Sequence, residues 1–179
     1  MDKKVLIAGF GFGLLANDKE PNISNQALAS NIIEVSECVD LHGSESFIAS
    51  QWEITKALRI LFDTSPDFSV ELLEDGTYLD SKTVWAEMKK AAALDVEKNG
   101  VPITQVIIVA QPFLHLPSLK QMVHDDGFDI IDYPMGKVPF DNSPENTQPW
   151  TRSKFALFIY AIKSALGMKR GHNGMQNAA

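Results

Sequence analysis

His115 is the residue of this chain best suited to proton transfer. It follows the apolar run Thr104–Ala110 and the turn Gln111-Pro112-Phe113-Leu114, and it stands where a helix begins. Imidazole is the side chain whose ordinary titration lies nearest neutrality. The positive end of a helix should lower its pKa and keep the ring neutral, ready to act as base or hydrogen-bond partner. A purely structural loop or capping histidine is the alternative. Two carboxylates join it as catalytic candidates, Glu53 in the first turn of an expected helix and Glu74 after the third strand. Either would orient a ligand or a water, although the helix dipole alone accounts for an acid at Glu53.

The ligand-binding candidates are polar or small. Gly9 and Gly11 belong to the run Gly9-Phe10-Gly11-Phe12-Gly13, Gln51 and Gln111 each follow a strand, and Thr83 and Glu87 lie four apart on one helix face. Asp80 and Ser81 place further polar groups near that helix start, where they also serve as caps. Lys154 near the start of the last helix is a cation able to meet an anion or to remain solvated. Glycines let backbone N–H groups approach a phosphate, but they also serve as a plain strand-to-loop turn. The dinucleotide pattern G-x-G-x-x-G is incomplete, because Leu14 occupies the third glycine position and Gln51 replaces a ribose-binding acid. The G-x-x-x-x-G-K-[ST], H-E-x-x-H and G-x-S-x-G patterns are absent. No metal site is expected, although Glu53 and Glu74 carry ligand chemistry suited to magnesium held through water. The cofactor is left unknown.

These residues need a scaffold, and the sequence alternates two periodicities. Lys4–Gly9, Ser46–Ser50, Phe68–Leu73, Thr104–Ala110 and Asp129–Tyr133 read as strands, several of them continuously apolar as in sheets covered on both faces. Helices are expected between them. The first is capped by Asn22 or Ser24 and carries Leu28, Ile32 and Val35; the second spans Trp52–Phe62. The third, capped by Asp80 or Ser81, carries Val84, Met88, Ala91 and Ala92 and stops at Asn99-Gly100. The fourth spans Leu116–Asp125 with Pro117 in its first turn. A last helix, Thr151–Leu166, is expected, apolar across Phe155, Leu157, Phe158, Ile162 and Leu166. The proline-bearing segment Pro134–Pro149 is long enough to cover a pocket or make a contact. Residues 1–166 form one α/β domain in this reading, and 167–179 a flexible tail.

Strands alternating with helices imply a parallel sheet with helices on both faces. In such sheets ligands bind beyond the carboxyl ends of the strands. That rule gathers Gly9, Gly11, Gln51, Glu74, Gln111 and His115 at one edge.

Bulk properties narrow the partners. With 23 acidic against 16 basic residues the net charge is −7, and no basic run suggests nucleic acid. No stretch of about 20 apolar residues predicts a membrane span. Cys38 is the only cysteine, so no intrachain disulfide forms. A cytoplasmic location is expected.

Several segments resemble the bacterial SanA/YdcF-like family, a domain of largely undefined function, over roughly residues 4–166. Ile7-Ala8-Gly9 is similar to its opening strand and glycine, Glu53 to its glutamate at the second helix, and Glu74 with Asp80-Ser81-Lys82-Thr83 and Glu87 to its acidic residue and threonine-bearing helix start. Val106–Ala110 followed by Gln111-Pro112-Phe113-Leu114-His115-Leu116-Pro117 resembles its strand, polar turn, histidine and proline. Ser118 stands where an arginine often follows in the family, and Ser50-Gln51-Trp52 replaces a glycine-rich approach. The resemblance implies a three-layer Rossmann-like α/β fold with a polar pocket at the strand ends. For some members it implies envelope-related roles; many members carry an N-terminal membrane segment, which is not expected in this chain. The expected function is a pocket for a nucleotide-like or phosphorylated small molecule, serving hydrolysis or group transfer. The alternatives are a non-catalytic sensor or carrier and an interaction module, in which the last helix or Pro134–Pro149 contacts a partner or a second copy in a homo-oligomer.

Overall fold

Alternate residues of the central strands point to opposite faces, and both faces here are apolar. In strand β1 (Lys4–Gly9), Val5 and Ile7 join one hydrophobic cluster, and Leu6 and Ala8 join the other. Strand β4 (Ile103–Val109) repeats this with Ile107 and Val109 against Val106 and Ile108. Such strands must be covered twice, and in the computed structural model, which describes residues 4–16, 20–72, 79–113 and 115–166, they are. Helices α1 (Ile23–Leu41) and α2 (Trp52–Phe62) bring Leu28, Ile32, Val35, Ile54 and Leu58 to the first face. Helices α3 (Ser81–Asn99) and α4 (His115–Asp125) bring Val84, Trp85, Met88, Leu119 and Val123 to the second. Trp85 also donates from Nε1 to Asp126 at 2.6 Å. The hydrogen bond from Lys89, and after it the one from Trp85, hold the Asp126 carboxyl below its ordinary pKa.

The sheet is completed by β2 (Glu45–Gln51), β3 (Phe68–Val70) and β5 (Asp129–Ile130), in the order β3-β2-β1-β4-β5 with every pairing parallel. This is the expected three-layer, Rossmann-like α/β fold. Strand order reverses between β1 and β4, so the loops after these strands part and leave a crevice.

The edge strands are shorter than expected. β3 stops at Val70 and β5 at Ile130. Beyond β5, Ile131 N–H still donates to Val106 O of β4 at 2.9 Å, and the Ile131 and Tyr133 side chains are partly buried against the first cluster. The expected last helix divides into a 3₁₀ turn (Pro149–Thr151) and α5 (Lys154–Ala165). Ser153 separates them, its side chain accepting from the Ala156 N–H as an N-cap.

Helix α5 turns most of its apolar stripe outward. Only Leu157 of the expected apolar stripe is buried; Phe155 is 74% exposed, Leu166 67%, and Phe158 and Ile162 are exposed as well. No helix among the described residues is long and apolar enough to cross a membrane. The expected tail, 167–179, lies outside the described residues.

Candidate functional site

The loop after β1 is held from two sides. Phe10 N–H donates to Val109 O at 2.9 Å, Gly11 N–H to Gln51 Oε1 at 3.1 Å, and Phe12 N–H to Asn25 Oδ1 at 2.8 Å. Asn22 caps α1 by accepting from Asn25 N–H, and Asn25 Nδ2 donates to Gly13 O at 3.0 Å. The run of glycines is therefore a fastened turn whose successive N–H groups already have protein acceptors. Gly11 is needed for closeness, since a Cβ there would lie 3.0 Å from Glu53 Oε2. Gly9 serves packing, because a Cβ would meet Ile32 Cδ1 at 2.7 Å.

The segment Pro134–Pro149 folds back over this loop. Asn31 pairs with the Gly136 backbone, Ser24 Oγ donates to Pro139 O, and Thr147 N–H donates to Leu14 O. Asn146, fully buried, donates to Asp141 O and shares a hydrogen bond with Thr151 Oγ. It also accepts from Gln148 N–H at 3.0 Å. The segment thus carries the 3₁₀ turn and the start of α5 to the carboxyl edge of the sheet.

A cavity of about 490 Å³ opens between these parts. The β1 loop contributes Gly11 and Phe12, β2 Gln51, the start of α3 Asp80 and Ser81, and α4 His115 and Ser118. The far wall is Gln148, Trp150 and Thr151 with Leu157, Tyr160, Ala161, Ser164 and Ala165 of α5. Its volume suits a small organic ligand.

His115 sits in the inner wall. Its Nε2 is 3.2 Å from Ser81 Oγ, and its ring packs 6.1 Å from Phe12 and 6.2 Å from Phe10. The side chain is partly buried, but its Nδ1 is shielded and has no partner among the described residues. Burial pulls its pKa down to about 4. The lowered direction is the expected one, but its cause is desolvation rather than the helix dipole. The ring is neutral at physiological pH. Burial also pushes the Tyr160 phenol upward, and Trp150 stacks on Tyr160 at 4.9 Å.

The remaining expected residues scatter. Glu53 is buried beside Gly11 in the first turn of α2, behind the cavity wall. Gln111 is buried, with Oε1 accepting from Phe113 N–H at 2.6 Å, and supports the turn before His115. Thr83 is exposed and bonds Asp80, the α3 cap, while Glu87 lies one turn on, 4.0 Å from Lys90. Lys154 is exposed, with Nζ 5.6 Å from the Phe113 ring centroid. Neither Thr83, Glu87 nor Lys154 lines the cavity. Glu74 lies outside the described residues.

No family model, curated protein or solved structure matches this chain. The site must therefore be read from its own chemistry. No cluster of His, Cys, Asp or Glu fit for a metal ion occurs among the described residues.

Gln148, Thr151, Tyr160 and Ser164 are among the wall residues that strand-end reasoning missed, while Ser81 was placed near this edge but not as a site residue. The α5 wall did leave a signal: Leu157, Tyr160, Ala161, Ser164 and Ala165 recur at helical spacing. It was overshadowed by the more apolar stripe on the opposite face.

Proposed function

We propose that this chain binds a nucleotide-like or phosphorylated small molecule in the crevice beyond β1 and β4. The observation that carries the reading is the cavity at the strand-order reversal, where aromatic walls and polar groups from separate segments converge. If the bound molecule reacts, the reaction is a hydrolysis or group transfer with His115 as acid or base. Ser81 orients the ring through Nε2, and Glu53 supports the loop at Gly11. Membership of the SanA/YdcF-like family and a cytoplasmic location are part of this proposal. They rest on the His115-Leu116-Pro117 segment and on the acidic composition with a single cysteine.

Mass spectrometry of the purified protein tests the reading. A retained small molecule is expected, and Ala161→Phe, which fills the cavity from α5, should release it while the circular dichroism spectrum stays the same. Retention by both the parent and Ala161→Phe would place the ligand elsewhere and end this reading.

A second reading, self-association, is favoured by the outer face of α5. Phe155, Phe158, Ile162 and Leu166 are exposed there, with Lys154 and Lys163 on the flanks. No Asp or Glu follows Glu145, so this end of the chain is basic while the remainder carries the acidic excess. A second copy offers both an apolar stripe and complementary charge. Phe158→Lys is expected to weaken association at least tenfold in sedimentation velocity. A parent protein that stays monomeric at high concentration would refute it.

A further inference from the structure

Two carboxamides of the cavity wall are held in place by their backbones, yet their side chains are not fully used. Gln51 is 5% exposed and Gln148 is 7% exposed. The Oε1 of Gln51 accepts from Gly11 N–H, which fixes the plane of the amide and leaves its Nε2 without a partner among the described residues. Gln148 is locked at its backbone. Its N–H donates to Asn146 Oδ1, and its carbonyl accepts from Thr151 Oγ at 2.8 Å. Its side-chain amide has no partner among the described residues. Both residues line the open cavity, so these amide groups are within reach of a molecule bound there, which can pair with them in place of solvent.

The hydrogen-bonding capacity on offer is specific. Gln51 presents donors only. Gln148 presents a donor and an acceptor side by side, the pattern that pairs with an amide-like N–H and C=O or ring nitrogen on the edge of a heterocycle. The flanking surfaces, Phe12 on one wall and the stacked Trp150 and Tyr160 on the other, suit a planar ring.

The same cavity is poorly equipped for a phosphate. The N–H groups of Phe10, Gly11 and Phe12 already donate to protein acceptors. At the start of α4, Phe113 N–H and Leu116 N–H both donate to Gln111, and His115 N–H donates to Phe113 O. Thr83 N–H and Val84 N–H at the start of α3 are taken by Asp80, whose carboxylate lines the cavity. Among the described lining residues none is Lys or Arg. An anion here would meet a carboxylate with no cation among the described lining residues to offset it, and would find the N–H groups of Phe10, Gly11, Phe12, Thr83 and Val84 already taken.

We propose that Gln51 and Gln148 are the specificity-determining residues of this cavity, and that they hold an uncharged planar heterocycle, a nucleobase or its nucleoside, with any phosphate lying outside. This rests on the ligand-pocket reading above and narrows it. In the complex, Gln148 would make the paired contact and Gln51 a single donated bond to a ring nitrogen or carbonyl.

Isothermal titration calorimetry with the common nucleobases and nucleosides, ribose 5-phosphate and inorganic phosphate tests the assignment on the full chain. At least one base or nucleoside is expected to bind, and ribose 5-phosphate and inorganic phosphate are expected not to compete with it. Gln148→Leu should weaken that binding at least tenfold, and Gln148→Glu, which keeps an acceptor but loses the amide donor, should weaken it without disturbing the fold seen by circular dichroism. Tighter binding of ribose 5-phosphate than of any base or nucleoside would overturn the heterocycle assignment and leave the pocket reading standing. An affinity unchanged in both Gln148 variants would do the same. Binding of none of the compounds would overturn the assignment and count against the pocket as well, and a molecule identified by mass spectrometry would then decide between the two failures.

Discussion

Gly13→Ala should lower the unfolding free energy by about 2–5 kcal/mol, the largest loss expected from adding a single methyl group to this chain. Gly13 has φ +84°, a conformation that L side chains adopt at a cost of roughly 1–2 kcal/mol. The space is closed as well. A Cβ would lie 2.7 Å from Asn22 Nδ2, 2.9 Å from Thr151 Oγ and 3.1 Å from Asn146 Nδ2. Those atoms are not loose side-chain ends. Asn22 holds the Phe12 carbonyl and caps α1, while Asn146 and Thr151 tie the 3₁₀ turn to the segment before it. Moving them breaks buried hydrogen bonds, which adds about 1–3 kcal/mol. Thermal denaturation should show a fall in Tm on the order of 10 °C. Gly43→Ala and Gly127→Ala are the controls. Both glycines have positive φ, but a Cβ at either meets nothing within 4 Å. Strain alone should cost those variants about 1–2 kcal/mol. Equal losses at Gly13 and Gly43 would show that the asparagine network does not press on this turn.

That network also explains which parts of the site were legible in the sequence. Strands β1 and β4 announce themselves because both their faces are buried, so Val5–Ala8 and Val106–Val109 are continuous apolar runs. Once these are central strands of a parallel sheet, Gly11 and His115 must lie at their carboxyl ends, and both line the cavity. The edge strands were overread. Apolar residues beyond Ile130 look like further strand, but a side chain buried against a helix and one buried in a paired strand leave the same trace in sequence.

Helix α5 shows a different ambiguity. Two stripes run along it at helical spacing, and the more apolar one, Phe155, Phe158, Ile162 and Leu166, is turned outward. The inner stripe is mixed because it walls a cavity rather than filling a core, so Ala161 and Ser164 are adequate there. Periodicity locates the helix without choosing between its faces. Contacts between distant segments leave no local signal at all. Ser81 and His115 are 34 residues apart, and Thr147 meets Leu14 across 133. Gln148 stood in a stretch legible only as a long polar connection, yet its backbone is fixed by Asn146 and Thr151.

His115 gives the second large effect, and it is a dependence on pH. Its pKa falls from 6.5 to about 4 in the folded chain because the ring is desolvated. Protonation also places an N–H on Nδ1, which is shielded and meets no acceptor among the described residues. Above pH 6.5 the ring is neutral in both folded and unfolded chains, and it contributes no pH dependence. As pH falls from 6.5 towards 4, the unfolded chain takes up a proton that the folded chain refuses, so stability declines through this window. The full shift corresponds to about 3 kcal/mol, and the part of the side chain that still faces the cavity reduces the expected loss to about 1–3 kcal/mol. Urea denaturation at pH 7.5 and at intervals down to pH 4 measures it. His115→Gln removes the titrating group, so carboxylates that also protonate near pH 4 affect parent and variant alike. The parent should lose about 1–3 kcal/mol more than His115→Gln over that range. Parallel curves would mean that the imidazole titrates as it does in the unfolded chain and is not a neutral ring at the wall of this cavity. A neutral His115 also limits the chemistry open to the site: across the physiological range the ring can serve as a base, and as an acid only after it has taken up a proton.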